Sequence, residues 1–165
     1  MRKTCVILSG VLLWAAAPLL AQSSVPFGGL KHDSSQQVEI SADSLRVDQA
    51  SGSATFAGNV VAGQGTLRLA ADSITVFYSG EDGDGAVSRL EAAGNVTLTN
   101  GTEAAESQKA VYDVATGMVS MSGEVLLTQD GNALSGQDLA IDLNAGTAEM
   151  KGRVSTILRP PSGDE

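Results

Sequence analysis

The sequence predicts an all-β fold built from repeated hairpin units, and three observations predict it. A short motif recurs at a near-constant interval, apolar and polar residues alternate instead of following helical spacing, and glycine or asparagine stands where the alternation breaks. The apolar fraction of 42% is too high for a disordered chain. The 19 glycines therefore serve turns and bends between many short strands.

The recurring motif is Gly-x-Val: Gly58-Asn59-Val60, Gly94-Asn95-Val96, Gly123-Glu124-Val125 and Gly152-Arg153-Val154. The intervals are 36, 29 and 29 residues, and the long first one contains the extra stretch Gly80-Glu81-Asp82-Gly83-Asp84-Gly85. A 29-residue unit with one loop insertion accounts for all four. Six residues before three of the triplets stands another glycine, Gly52, Gly117 or Gly146, with Ser88 in that place in the second copy.

Between those markers the alternate positions are Ala54 and Phe56, Leu90 and Ala92, Val119 and Met121, Ala148 and Met150, each leading in the same parity to the valine of its triplet. This is a strand period, and the opposite parity (Ser53, Thr55, Glu91, Ser120, Glu149, Lys151) is mostly polar, so each strand has an inner and an outer face. Partner strands lie upstream, in Leu45 and Val47, in Ile74, Val76 and Tyr78, in Ala110, Tyr112 and Val114, and in Leu139, Ile141 and Leu143. Asn100-Gly101, Asp130-Gly131-Asn132 and Asn144-Ala145-Gly146 supply turn chemistry between the runs. The inward parity slips by one at Ala42-Asp43-Ser44 and again at Ala71-Asp72-Ser73, which predicts bulges or corners. No window from Val38 to Leu158 sustains a helical apolar series.

The inward set is Val38, Ile40, Leu45, Val47, Phe56, Val60, Leu67, Leu69, Ile74, Val76, Leu98, Tyr112, Val114, Met121, Leu127, Leu139, Ile141, Met150 and Val154. Taken alone it describes an ordinary sandwich core, and sequence does not separate side chains that would touch a ligand from those that only pack.

Outside this region the chain has distinct segments. Arg2 and Lys3 precede an apolar run from Val6 to Leu20, shorter than the roughly 20 residues a membrane span needs, so residues 1–21 are expected to be a cleaved secretory signal. Cys5 precedes that run and is not placed for lipid attachment. Residues 22–37 read as a flexible lead-in, 38–158 as the β domain, and 159–165, opening on Arg159-Pro160-Pro161, as a short disordered tail. Loss of the signal leaves no cysteine, and 8 basic residues against 19 acidic ones. Such a surface repels nucleic acid phosphates.

Catalytic and metal chemistry find little material. His32 is the only histidine and lies in the lead-in, so neither a nucleophile triad nor a histidine metal site can be assembled around it. The carboxylates fall on outward parity or in loops, where the paired, facing acids of a glycosidase are not expected. Glu81-Asp82-Gly83-Asp84-Gly85 lacks the ligand spacing and closing glutamate of a calcium loop and reads as a hairpin tip. The expectation is a protein that is not an enzyme and has no cofactor, no catalytic residues and no metal site.

Several segments together resemble one known family, the lipopolysaccharide transport periplasmic protein A (LptA, OstA-like N-terminal) family. They are Ile40-Ser41-Ala42-Asp43, Phe56-Ala57-Gly58-Asn59-Val60-Val61 with Gln64-Gly65-Thr66-Leu67, Ala71-Asp72-Ser73-Ile74-Thr75-Val76, and Lys151-Gly152-Arg153-Val154-Ser155-Thr156-Ile157-Leu158, in family order. The resemblance implies an elongated, V-shaped antiparallel β jelly roll whose apolar interior takes the acyl chains of lipid A. It further implies a periplasmic carrier or bridge, joined head to tail into a homo-oligomer. Edge strands would link it to an inner-membrane lipopolysaccharide export complex and an outer-membrane lipopolysaccharide assembly protein. An acyl chain of about 12 carbons costs on the order of 10 kcal/mol to expose to water, at roughly 0.8 kcal/mol per methylene, so a continuous apolar trough is a physically sensible route. The acidic, alanine-rich Glu103-Ala104-Ala105-Glu106 and the short tail depart from the family pattern. Two other readings remain: a structural or adhesive β-repeat protein with a filled core, and a membrane-tethered relative in the same pathway.

Overall fold

The computed structural model describes residues 24–26 (backbone), 35–80 and 85–158. The expected signal at 1–21, the tail at 159–165, His32 and the acidic tip at 81–84 lie outside the described residues.

Among the described residues eleven strands form one sheet: β1 (Ser24–Pro26), β2 (Val38–Ser41), β3 (Ser44–Asp48), β4 (Ser53–Gln64), β5 (Leu67–Tyr78), β6 (Val87–Thr99), β7 (Glu103–Asp113), β8 (Met118–Gln129), β9 (Asn132–Asp142), β10 (Thr147–Lys151) and β11 (Ser155–Ile157). The order is β1-β10-β9-β8-β7-β6-β5-β4-β2, with β3 also on β4 and β11 also on β9, and every pairing is antiparallel. The all-β, stacked-hairpin architecture is the one expected. Ser24–Pro26, within the segment read as a flexible lead-in, instead pair with Thr147–Glu149 of β10.

The Gly-x-Val triplets explain the shape of the sheet. Each long strand changes register at its middle, between Ala57 and Val60, Ala93 and Val96, and Ser122 and Val125. The pairs Gly58-Asn59, Gly94-Asn95, Gly123-Glu124 and Gly152-Arg153 all hold positive φ, from 46° to 85°. Opposite them stand Asp43, Asp72, Gln108 and Gln137, and a Cβ at any of the four glycines would collide with that residue. Asn59 Nδ2 donates to Asp43 Oδ2 at 2.8 Å and Asn95 Nδ2 to Asp72 Oδ2 at 2.9 Å, so the first two bulges carry their own tie. The parity slips at Asp43 and Asp72 are this feature seen from the partner strand.

Aligned bulges bend every long strand at one line and divide the sheet into two halves. The first half carries Ser53–Ala57, Ser73–Tyr78, Val87–Ala93, Lys109–Asp113, Met118–Ser122, Asp138–Asp142, β3 and β10. The second carries Val60–Gln64, Leu67–Ala71, Val96–Thr99, Glu103–Ser107, Val125–Gln129, Asn132–Gly136, β2 and β11. The halves meet face to face, since Tyr112 Oη of the first donates to Gln64 Oε1 of the second at 3.0 Å. Leu90 and Tyr112 of the first half share a small cavity with Val38, Leu67, Leu69 and Leu98 of the second.

Candidate functional site

The register aligns inward side chains into apolar rows that cross the sheet from margin to margin. In the first half one row runs Leu45, Phe56, Ile74, Ala92, Ala110, Met121, Leu139, Met150, and the next runs Val47, Ala54, Val76, Leu90, Tyr112, Val119, Ile141, Ala148. In the second half Ile40, Ala62, Leu69, Leu98, Ala105, Leu127 and Leu134 form the equivalent row. The last row before the strand tips is different: beside Val38 and Leu67 it holds Gln64, Glu103, Gln129 and Asn132, a polar rim on an apolar wall.

Twelve of the expected interior positions are buried: Val60, Leu67, Leu69, Ile74, Val76, Leu98, Tyr112, Met121, Leu127, Leu139, Ile141 and Met150. Ile40, Phe56 and Val114 are partly buried against the same cluster, and Val38 lines the small cavity. Three positions are corrected: Leu45 is 56% exposed, Val47 64% and Val154 47%. Leu45 and Val47 have the inward parity, paired with Phe56 and Ala54, but β3 is a marginal strand paired only with β4. Val154 follows the last bulge at the opposite margin, where only the short β11 continues. Both margins therefore leave apolar side chains uncovered, with Ile157 and Leu158 about 70% exposed beside Val154.

Leu90, Val96, Ala105, Val119, Val125, Leu134 and Leu143 are buried as well and belong to the same interior. Ala105 sits in the stretch that reads as an acidic departure; its parity with Ser107 and the inward set beyond the bulge was the available signal. Polar character likewise hid Gln64 and Glu103, 4% and 5% exposed, which have inward parity.

Electrostatics inside are muted. Burial, with a smaller push from the neighbouring Asp113 carboxylate, raises the Tyr112 phenol to about 12, so it stays a neutral donor toward Gln64. Asp113 itself is held below the usual carboxylate range, chiefly by its hydrogen bonds from the backbone and side chain of Thr116. Gln64 Nε2 in turn donates to the Gln36 carbonyl at 2.8 Å, tying the contact to the segment leading into β2. Among the described residues no cluster of His, Cys, Asp and Glu is arranged to hold a metal ion, and no helix is long and apolar enough to cross a membrane. The arrangement offers an apolar surface with a polar rim.

The family model described as LptA/(LptD N-terminal domain) LPS transport protein matches residues 39–147, from β2 to the start of β10. The chain belongs to this lipopolysaccharide transport family. The match takes in all five hairpin junctions between the long strands β4 to β9 and most of the rows described above. An uncharacterized protein of Rhizobium meliloti (strain 1021) is 31% identical over 110 residues, 64% of this chain and 59% of that protein, so the alignment spans less than two thirds of the relative's length. Among solved structures, the crystal structure of LptH, the LptA homologous periplasmic component of the conserved lipopolysaccharide transport device from Pseudomonas aeruginosa, aligns with a TM-score of 0.69. That alignment covers 78% of this chain and 99% of LptH at 19% sequence identity, a likeness of fold.

Proposed function

We infer that this LPS transport family member is a periplasmic carrier that holds the acyl chains of lipopolysaccharide between the two halves of its sheet. Copies joined end to end through their edge strands would form a bridge from an inner-membrane export complex to an outer-membrane assembly protein, with no catalytic step. The observation that carries this reading is the inner face of one sheet, apolar along whole rows from β3 to β10, with apolar side chains left uncovered at both margins, at Leu45 and Val47 and at Val154 and Leu158. An ordinary core has no reason to run out to both edges.

The interior cavity is only about 20 Å³, whereas sites for drug-sized ligands start near 300 Å³. Loading therefore requires the halves to part about the line of bulges, breaking the Tyr112 to Gln64 contact at the rim. The same small cavity favours one competing reading, a structural β-repeat protein with a permanently filled core. The mature protein purified from an envelope extract and assayed for bound lipopolysaccharide by mass spectrometry separates the two. Co-purified or tightly rebound lipopolysaccharide is the expected result, and a chain that neither carries nor takes up lipid overturns the carrier reading.

A further inference from the structure

Glu103 is the one buried residue with an ionisable carboxyl group among the described residues, 5% exposed at the start of β7. Its Oε1 accepts from Gln129 Nε2 at 2.5 Å, but its Oε2 is buried with no hydrogen-bond partner among the described residues. Neither of the ion pairs there, Arg89 with Glu91 and Lys151 with Glu149, involves it. An acceptor buried without a donor is a standing cost to the fold, and the apolar residues in the neighbouring row, Leu98, Ala105, Leu127 and Leu134, avoid it.

Its place in the register gives the orphaned oxygen a chemical meaning. Glu103 lies in the inward rim row with Gln64 and Leu67, which line the cavity between the halves. Behind that row the inner face of the second half is apolar except at Ser107, whose hydroxyl already donates to the Lys109 carbonyl at 2.9 Å. A carboxyl oxygen left without a partner is an acceptor, so its complement is a hydrogen-bond donor. A ligand lying with its alkyl part on the apolar rows brings only its first few carbons to the rim, because successive inward rows along a strand are about 6.8 Å apart. We propose that Glu103 Oε2 accepts a hydrogen bond from a hydroxyl group near the head end of a bound acyl chain, so that the carrier selects 3-hydroxyacyl chains over plain ones. This rests on the carrier reading above and adds a specificity-determining residue to it.

The test uses the whole mature chain and three probes, the methyl esters of 3-hydroxymyristate, 3-methoxymyristate and myristate, measured by displacement of a fluorescent fatty acyl reporter. The wild type is expected to bind the hydroxy ester at least tenfold more tightly than the other two, the range of a hydrogen bond to a charged group. Glu103→Met, which removes the acceptor, and Glu103→Gln, which replaces the free oxygen with a donor while keeping a partner for Gln129, are expected to lose that preference and still bind myristate ester. Circular dichroism of both variants identifies one that folds. Equal binding of all three esters by the wild type, or a preference retained by a folded Glu103 variant, overturns the assignment while leaving the carrier reading intact. Binding of none of the three by the wild type overturns both.

Discussion

Tyr112 and Gln64 are 48 positions apart in the chain and lie on opposite halves of the bent sheet, yet their side chains meet at 3.0 Å and close the polar rim over the apolar interior. Because the donor is a buried phenol and the acceptor a buried amide, the pair is both a local tie and a register of whether the halves are shut.

Tyr112→Phe removes that tie while keeping the ring. The fold is expected to lose about 1 kcal/mol, the net worth of a hydrogen bond, with more lost if Gln64 finds no new donor. Urea unfolding of the two proteins measures it. Lipid uptake should become faster, and an unchanged uptake rate in a destabilised variant would separate the rim contact from opening.

Alkaline titration gives an independent reading of the same phenol. Its pKa is raised from 10.0 to about 12 in the folded protein, so the unfolded chain loses this proton first as pH rises. The stabilisation is complete below pH 10 and is lost as pH climbs from 10 to 12, by on the order of 2 kcal/mol. The wild type should lose its advantage over Tyr112→Phe within that window and fall below it at its upper end; curves that stay parallel contradict the burial of the hydroxyl.

Charge placed on the inner face should be felt differently from charge on the outer face. Ile40→Asp and Tyr112→Asp put an unpaired carboxylate on the apolar rows and are expected to abolish lipid binding, whereas Thr55→Asp and Ser120→Asp on the opposite parity leave it within about twofold. Only variants that keep a β-type far-ultraviolet spectrum enter the comparison. Equal loss in both classes contradicts the parity.

The bulge line makes a stability prediction of its own. A Cβ at Gly58 would stand 2.5 Å from Asp43 Oδ2 and at a φ of +82°, so Gly58→Ala is expected to cost about 2 kcal/mol from the left-handed backbone alone, before the clash. Thermal unfolding of Gly58→Ala and of the double variant with Asp43→Ala apportions the two effects, and a neutral single variant would mean the corner is not held as described.

Head-to-tail joining is tested with single cysteines, since residues 22–165 contain none of their own. Gln37 precedes β2 at one margin and Ser155 opens β11 at the other. Gln37→Cys mixed with Ser155→Cys is expected to cross-link where neither variant alone does, because two unlike edges propagate and like edges close. Efficient linkage within the Gln37→Cys sample alone would mean a closed dimer and no bridge.

Much of this molecule is legible in its sequence, for a physical reason: in a sheet with one wet face, parity alone tells which way a side chain points. Ile74, Val76, Met121 and Ile141 alternate plainly and are buried. Asp43 and Asp72 betray the corner because apolar residues on both sides of them make the slip visible. Gln108 and Gln137 occupy equivalent places with small or polar neighbours, and nothing marks them. Parity does not say what lies opposite, which is why Leu45, Val47 and Val154 read as interior and are exposed at the margins. Ser24–Pro26 are too short to carry a period, and their pairing depends on β10, which is distant in the chain. Glu103 was obscured by the rule that buried means apolar.

The spacing of the bulges has a consequence for how such a chain can change its length. Each corner is encoded locally, by a Gly-x pair and the Asp or Gln facing it, and none depends on a residue at the far end of the sheet. Duplicating a whole 29-residue unit would therefore add one more hairpin with its fold line already in place, and the crease would continue straight across the addition. A partial insertion survives only at the tips, as between Gly80 and Gly85, where it alters no crease. The protein is in this sense pleated stock that can be cut to length, and families built on it can differ in reach while sharing one cross-section.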